Sequence, residues 1–208
     1  GQQQAIRDAR KVSNPGCYPT GGIALIRPLV DAGLIPTDYP VTINAVSGYS
    51  GGGKSMIEAY ESGKAPAFEL YGLGLEHKHV PELMLYSGLT RRPIFVPAVG
   101  NFRQGMLVSV PLHLDTLAGD PTAADLEAML AEHFRGAALV TVVPAGDPSS
   151  QGGRLAAENL NDSDRLELRV FANEVLRQAV LVARLDNLGK GASGAAVGNI
   201  TLMLGLDG

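Results

Sequence analysis

The sequence predicts an α+β domain: a mixed, largely antiparallel sheet with its helices on one face. Three observations predict it. Short β-branched or alternating runs recur at residues 41–46, 94–96, 106–113, 139–143, 166–172 and 178–185. Helical periodicity is confined to a few longer stretches, so strands and helices do not alternate one for one. The runs at 166–172 and 178–185 mirror each other about Asn173-Glu174, as the arms of a hairpin do.

The elements follow in order. Residues 2–11 read as the end of a helix, and 12–16 as a short strand entering a tight turn at Asn14-Pro15-Gly16. Ile23, Ile26, Leu29 and Val30 form a helical stripe, with Pro28 expected to bend or shorten the helix and Gly33 to end it. The strand at 41–46 opens into a glycine-rich loop, Ser47 to Lys54. Residues 70–75 could form another strand, and Pro81 with Glu82 suits a helix start. Residues 122–134 read as an amphipathic helix with Leu126, Met129, Leu130 and His133 along one side. Residues 147–156 form a Ser/Gly-rich loop, and 191–206 a closing helix expected to pack tightly.

Composition excludes several classes. With 45% hydrophobic and 18% charged residues, the 208-residue chain can bury a normal core and is not intrinsically disordered. A net charge of −4 argues against nucleic-acid or anionic-membrane partners. No apolar run approaches the ~18 residues of a membrane span, and no signal peptide is visible. A single cysteine forms no internal disulfide and fits a reducing, cytoplasmic setting. The chain opens on Gly1 rather than Met, as a cut or processed chain or a fragment would. Glycine, at 26 residues, implies tight turns or backbone brought close to a ligand.

Cys17 follows a turn and opens a helical stretch, where backbone N–H groups and the helix dipole would favour a thiolate. The alternative is a buried cysteine acting as a small hydrophobe. His77 and His79 offer imidazoles that titrate in the range an acid/base needs, and their i, i+2 spacing directs both the same way in an extended segment. A metal pair is the other reading, but no ligand set completes it. Ser47 to Lys54 could cradle an anion on its backbone N–H groups, with Lys54 adding charge. Gly48 to Ser55 satisfies the letters of a nucleotide-binding P-loop, yet no second carboxylate strand or long α/β series follows. Arg103 could clamp a carboxylate or phosphate, and Asp186 to Ala192 brings glycines before the final helix.

These strings, taken together, resemble the N-acetyl-gamma-glutamyl-phosphate reductase family in its shorter, type 2 form. The resemblance runs through Ser13-Asn14-Pro15-Gly16-Cys17-Tyr18-Pro19-Thr20-Gly21, Ser47-Gly48-Tyr49-Ser50-Gly51-Gly52-Gly53-Lys54 and His77-Lys78-His79-Val80-Pro81-Glu82, and continues over 102–111 and 186–197. It implies that residues 1–208 form a semialdehyde-dehydrogenase-like catalytic and dimerisation domain, and that the family's N-terminal Rossmann domain is absent from this chain. It further implies NADP as cofactor, an acyl phosphate as small-molecule substrate, arginine biosynthesis as the setting and a homo-oligomer as the assembly. Cys17 would form a thioester, and His77 or His79 would handle the proton. Ser47, Gly48, Asn187 and Gly189 would contact the cofactor, and Ser50, Lys54 and Arg103 the substrate. The family carries Arg in its type 1 members where Lys78 stands. The small, apolar helix at 194–206 would lack the partner that the nucleotide domain provides, so association is expected. Two rival readings are a self-associating domain without turnover, and a sibling enzyme acting on aspartyl or amino-adipyl phosphate.

Overall fold

A computed structural model describes residues 2–206; Gly1 and the last two residues lie outside the described part of the chain. Its centre is a seven-stranded sheet. The strands are β1 (Thr42–Gly48), β2 (Phe68–Leu70), β3 (Ile94–Gly100), β4 (Met106–His113), β5 (Val140–Val142), β6 (Leu166–Asn173) and β7 (Gln178–Leu185). Their order is β2-β3-β1-β4-β7-β6-β5. The β1–β3 and β5–β6 pairs are parallel and the other four antiparallel, which is the mixed, largely antiparallel sheet the sequence predicts.

The helices are α1 (Gln3–Asp8), α2 (Cys17–Asp31), α3 (Lys54–Glu61), α4 (Val80–Tyr86), α5 (Ala123–His133) and α6 (Gly194–Met203). Helix α2 lies on β4 and β7, flanked by α4 and α5. Leu25, Ile26 and Leu29 of α2 are fully buried, as are Val108 and Leu181 of the sheet beneath and Leu126 and Leu130 of α5. Alternation decides which strand residues share this core: Ala45, Val108, Ala183 and Leu168 lie in register across four strands and all belong to it. Two small residues let α2 approach its neighbours closely, Gly21 the sheet and Gly22 helix α4. A Cβ on Gly21 would stand 3.0 Å from Val108, and one on Gly22 would stand 2.6 Å from Leu83.

Several local outcomes differ from the sequence reading. Residues 12–16 form no strand. The Gly16 N–H donates to a carboxylate of α4 instead of a ladder partner. Helix α2 runs through Pro28 to Asp31, because burial of the proline ring and the flanking leucines outweighs the lost backbone bond. Gly33 does end it: at φ +73° it closes a Schellman turn, with Gly33 N–H bonded to Val30 C=O and Leu34 N–H to Leu29 C=O. The strand expected at 70–75 is Phe68–Leu70, since Gly72 and Leu75 turn left-handed and break the extended run. Helix α3 lies in and beyond the glycine-rich stretch read as loop, burying Tyr60. Thr122 and Asp125 form a reciprocal capping box at the start of α5. The closing helix begins as a π-turn at Gly189–Ser193, and none of the α6 residues is buried, contrary to the tight packing expected of it.

Candidate active site

Strand β1 ends at Gly48 and passes into a 3-10 turn, Tyr49–Gly52, whose Tyr49 and Ser50 N–H groups bond to the backbone of Phe102 and Arg103. That turn, the first turn of α2, the segment 77–79 before α4 and the π-turn before α6 enclose a cavity of about 310 Å³. Cys17, Ser47, Gly48, Ser50, His77, Lys78, His79 and Asn187 all line it.

Cys17 is the first residue of α2, after Gly16 as N-cap, so its thiol sits where the helix dipole acts. Burial nevertheless pushes the thiol up from its ordinary value; the backbone N–H groups of Tyr18 and Cys17 and the charge of Lys78 pull it down without overcoming that. The dipole-acidified thiol expected from sequence is therefore corrected: burial wins in the ligand-free protein, and the proton needs an acceptor. A Cβ on Gly191, in the π-turn, would lie 3.0 Å from Cys17 Cβ, so this glycine sets the room behind the nucleophile.

The two imidazoles pack edge to face, with ring centroids 4.8 Å apart, against Tyr18. The His79 N–H donates to Nδ1 of His77 at 3.2 Å, so neutral His77 carries its proton on Nε2. His79 lies on Gly16 so closely that a Cβ there would be 2.4 Å from Nε2. Its Nδ1 is buried without a hydrogen-bond partner among the described residues. Burial, then the neighbouring His77 and Lys78, depress His79 to about 4, and burial with Lys78 lowers His77 as well. Both rings are thus neutral at pH 7. The Tyr71 hydroxyl donates to that of Tyr18, which donates to the Ala98 carbonyl, fixing the wall beside the nucleophile.

Asn187 is 2% exposed. Its Oδ1 accepts from Gly105 N–H and its Nδ2 donates to Ser50 Oγ, leaving one amide N–H. Asp186 beside it is also buried and accepts from Gln104, Asp162 N–H and Leu188 N–H. These bonds hold the loop at 101–105 against the start of the π-turn.

Three sequence candidates stand elsewhere. Lys54 has its side chain 91% exposed and faces Glu58 one turn along α3. Arg103 is exposed and outside the lining, its backbone packed so closely on Gly48 that a Cβ there would strike it. Gly189 packs on Ser163 C=O, outside the lining. Glu82 was legible in sequence only as a first-turn acid of α4. Its carboxylate accepts the Gly16 N–H at 3.0 and 3.3 Å, tying α4 to the turn before Cys17. Among the described residues, no group of three or more His, Cys, Asp or Glu is placed to hold a metal ion, and no helix is long and apolar enough to cross a membrane.

Comparison with known proteins agrees with this geometry. Residues 17–187 match the model of the semialdehyde dehydrogenase dimerisation domain. N-acetyl-gamma-glutamyl-phosphate reductases of Brucella ovis and Brucella canis are 56% identical over 210 residues, covering 99% of this chain and 67% of theirs. Aspartate semialdehyde dehydrogenase II from Vibrio cholerae superposes with a TM-score of 0.64 at 17% identity, covering 99% of this chain and 66% of that one. Aspartate semialdehyde dehydrogenase from Francisella tularensis gives 0.66 at 12% identity, covering 90% and 63%. The chain thus spans about two thirds of the length of these relatives. A shared sheet, a cysteine opening the central helix and over half the residues in common lead to one conclusion: the chain belongs to the N-acetyl-gamma-glutamyl-phosphate reductase family of semialdehyde dehydrogenases.

Proposed function

We propose that this chain is the catalytic and dimerisation part of an NADP-dependent oxidoreductase of arginine biosynthesis, working in the cytoplasm. It would convert N-acetyl-glutamyl 5-phosphate to N-acetyl-glutamate 5-semialdehyde. One observation carries the reading: a cysteine on the first turn of a helix shares a cavity with two neutral imidazoles and a buried asparagine amide. Cys17 transfers its proton to a neutral imidazole, and the thiolate attacks the acyl carbon. The carbon–oxygen bond to phosphate breaks, leaving a thioester. A bound nicotinamide supplies the hydride that reduces this thioester. The imidazolium that took the Cys17 proton gives it to the hemithioacetal alkoxide, and breakage of the carbon–sulfur bond passes that hydroxyl proton back to the sulfur as the aldehyde leaves.

The cavity fits one end of such a cofactor. Ser47 and Gly48 line it without bulk, and the remaining amide N–H of Asn187 is a fixed donor for a carboxamide oxygen. The rest of the nucleotide would be held by a separate Rossmann domain. The sheet face opposite α2 suits pairing with a second copy. It forms a groove of about 600 Å³ lined by Val46, Val96, Leu107, Phe171, Val180 and Val182 among others.

Cys17→Ser in the full-length enzyme is expected to lower kcat on the order of 10³-fold or more, with no acyl-enzyme detectable by mass spectrometry. Undiminished NADPH oxidation would overturn the reading. A panel of N-acetyl-glutamyl, aspartyl and amino-adipyl phosphates should give turnover with the first; preference for either other would assign the sibling reaction.

A further inference from the structure

The cavity wall carries an asymmetry of charge that the roles above do not use. Neither Asp, Glu nor Arg lines it, and Lys78 is the one permanently charged side chain that does. Lys78 is exposed and has no ion pair or hydrogen bond among the described residues. Most other cations near the site are committed or turned away: Lys54 faces Glu58, Arg92 pairs with Glu76, and Arg103 lies outside the lining. Lys78 lines the same cavity as Cys17, His77 and His79, and its charge bears on all three. An unpaired ammonium at the mouth of a cavity free of carboxylates attracts an anion.

We infer that Lys78 is the residue that binds the phosphoryl group of the substrate. The inference rests on the acyl-phosphate reading above. In that reading the phosphoryl oxygen is bonded to the carbon that Cys17 attacks, whereas the substrate carboxylate lies four carbon–carbon bonds further along. A cation lining the cavity that holds the sulfur and both imidazoles is therefore placed for the leaving group. It neutralises the dianion as the carbon–oxygen bond breaks, and in the reverse direction it holds inorganic phosphate against the thioester.

Inorganic phosphate is the probe. In the full-length enzyme it should slow alkylation of Cys17 by iodoacetamide, followed by mass spectrometry. Lys78→Met should weaken that protection about tenfold, the value of one charge-assisted hydrogen bond, and Lys78→Arg should keep it. In the reverse reaction, Lys78→Met should raise KM for phosphate and leave KM for the semialdehyde unchanged. Absent protection in the parent enzyme, or equal protection in parent and Lys78→Met, overturns the inference. So does a raised KM for the semialdehyde with phosphate unaffected, which would assign Lys78 to the carboxylate. The alkylation readout needs no turnover, so it is decided separately from the thioester reading, which full activity of the alkylated enzyme would overturn.

Discussion

The two faces of the sheet are built from the same strands by opposite rules. On the face under α2, α4 and α5 the rows are aliphatic and closed: Ala45, Val108, Ala183 and Leu168 run across it, all buried. On the other face, Val46, Leu107, Arg184 and Glu167 form one row, and Asn44, Ser109, Val182 and Arg169 the next. That face is apolar toward β1 and β3 and ionic toward β6. Its ionic end is covered by the segment at 148–156, whose Ser149 and Ser150 accept from Arg169 and whose Ala156 C=O accepts from Arg184. The covered face shows what folding requires of this sequence. The other shows apolar surface that a lone chain leaves to water, such as Val180 at 38% exposure.

The largest expected effect tests the ionic end. Glu167 accepts from both Arg169 and Arg184, whose side chains are 3% and 7% exposed. Burial would raise its carboxyl, but the two guanidiniums outweigh that and hold it below the usual carboxylate range. Glu167→Gln leaves two buried cations short of a partner and should cost about 3–5 kcal/mol in urea unfolding. Substitution on the covered face comes next. Leu25→Ala, fully buried in α2, should cost about 2–5 kcal/mol by the same measurement. If Val180→Ala costs as much, the contrast between faces is broken; the expected loss is under about 1 kcal/mol in the monomer. Val180→Asp should instead shift the oligomer toward monomer in analytical ultracentrifugation, with little change in monomer stability.

Histidine sharpens the comparison at the cavity. His79, at about 4, lies below the ordinary histidine value of 6.5. The unfolded chain therefore binds a proton that the folded one refuses, and stability falls as pH drops from 6.5 toward 4. His79→Asn should flatten the urea midpoint across that window relative to the parent. The smallest effect is at a cap: Thr122→Ala, which removes the capping box of α5, should cost about 1 kcal/mol.

Strand alternation and hairpin symmetry made most of the sheet legible, because period two and burial coincide along β4 and over the first residues of β6 and β7. Helix α3 was hidden behind four residues of glycine-rich loop, since its apolar residues Met56, Ile57 and Tyr60 are too few to stand out. The expected strand at 12–16 failed for a tertiary reason: its backbone is claimed by Glu82, 66 residues away. Chemistry and spacing picked out Cys17, His77 and His79, the family resemblance picked out Asn187, and all four line one cavity. Lys54 and Arg103 were chosen for charge alone, and charge in a loop does not fix direction. Both residues are exposed and lie outside the cavity lining.

The bond from Gly16 to Glu82 has a mechanical consequence. Helix α4 carries the imidazole segment at its start, and α2 carries the sulfur at its own. One carboxylate clamps the two starting points together. The sulfur and the imidazoles that share the cavity are thus held together by a bond made outside it. Glu82→Gln, which weakens the clamp but keeps its shape, should expose any looseness as substrate-dependent reactivity of the sulfur, measured by stopped-flow alkylation.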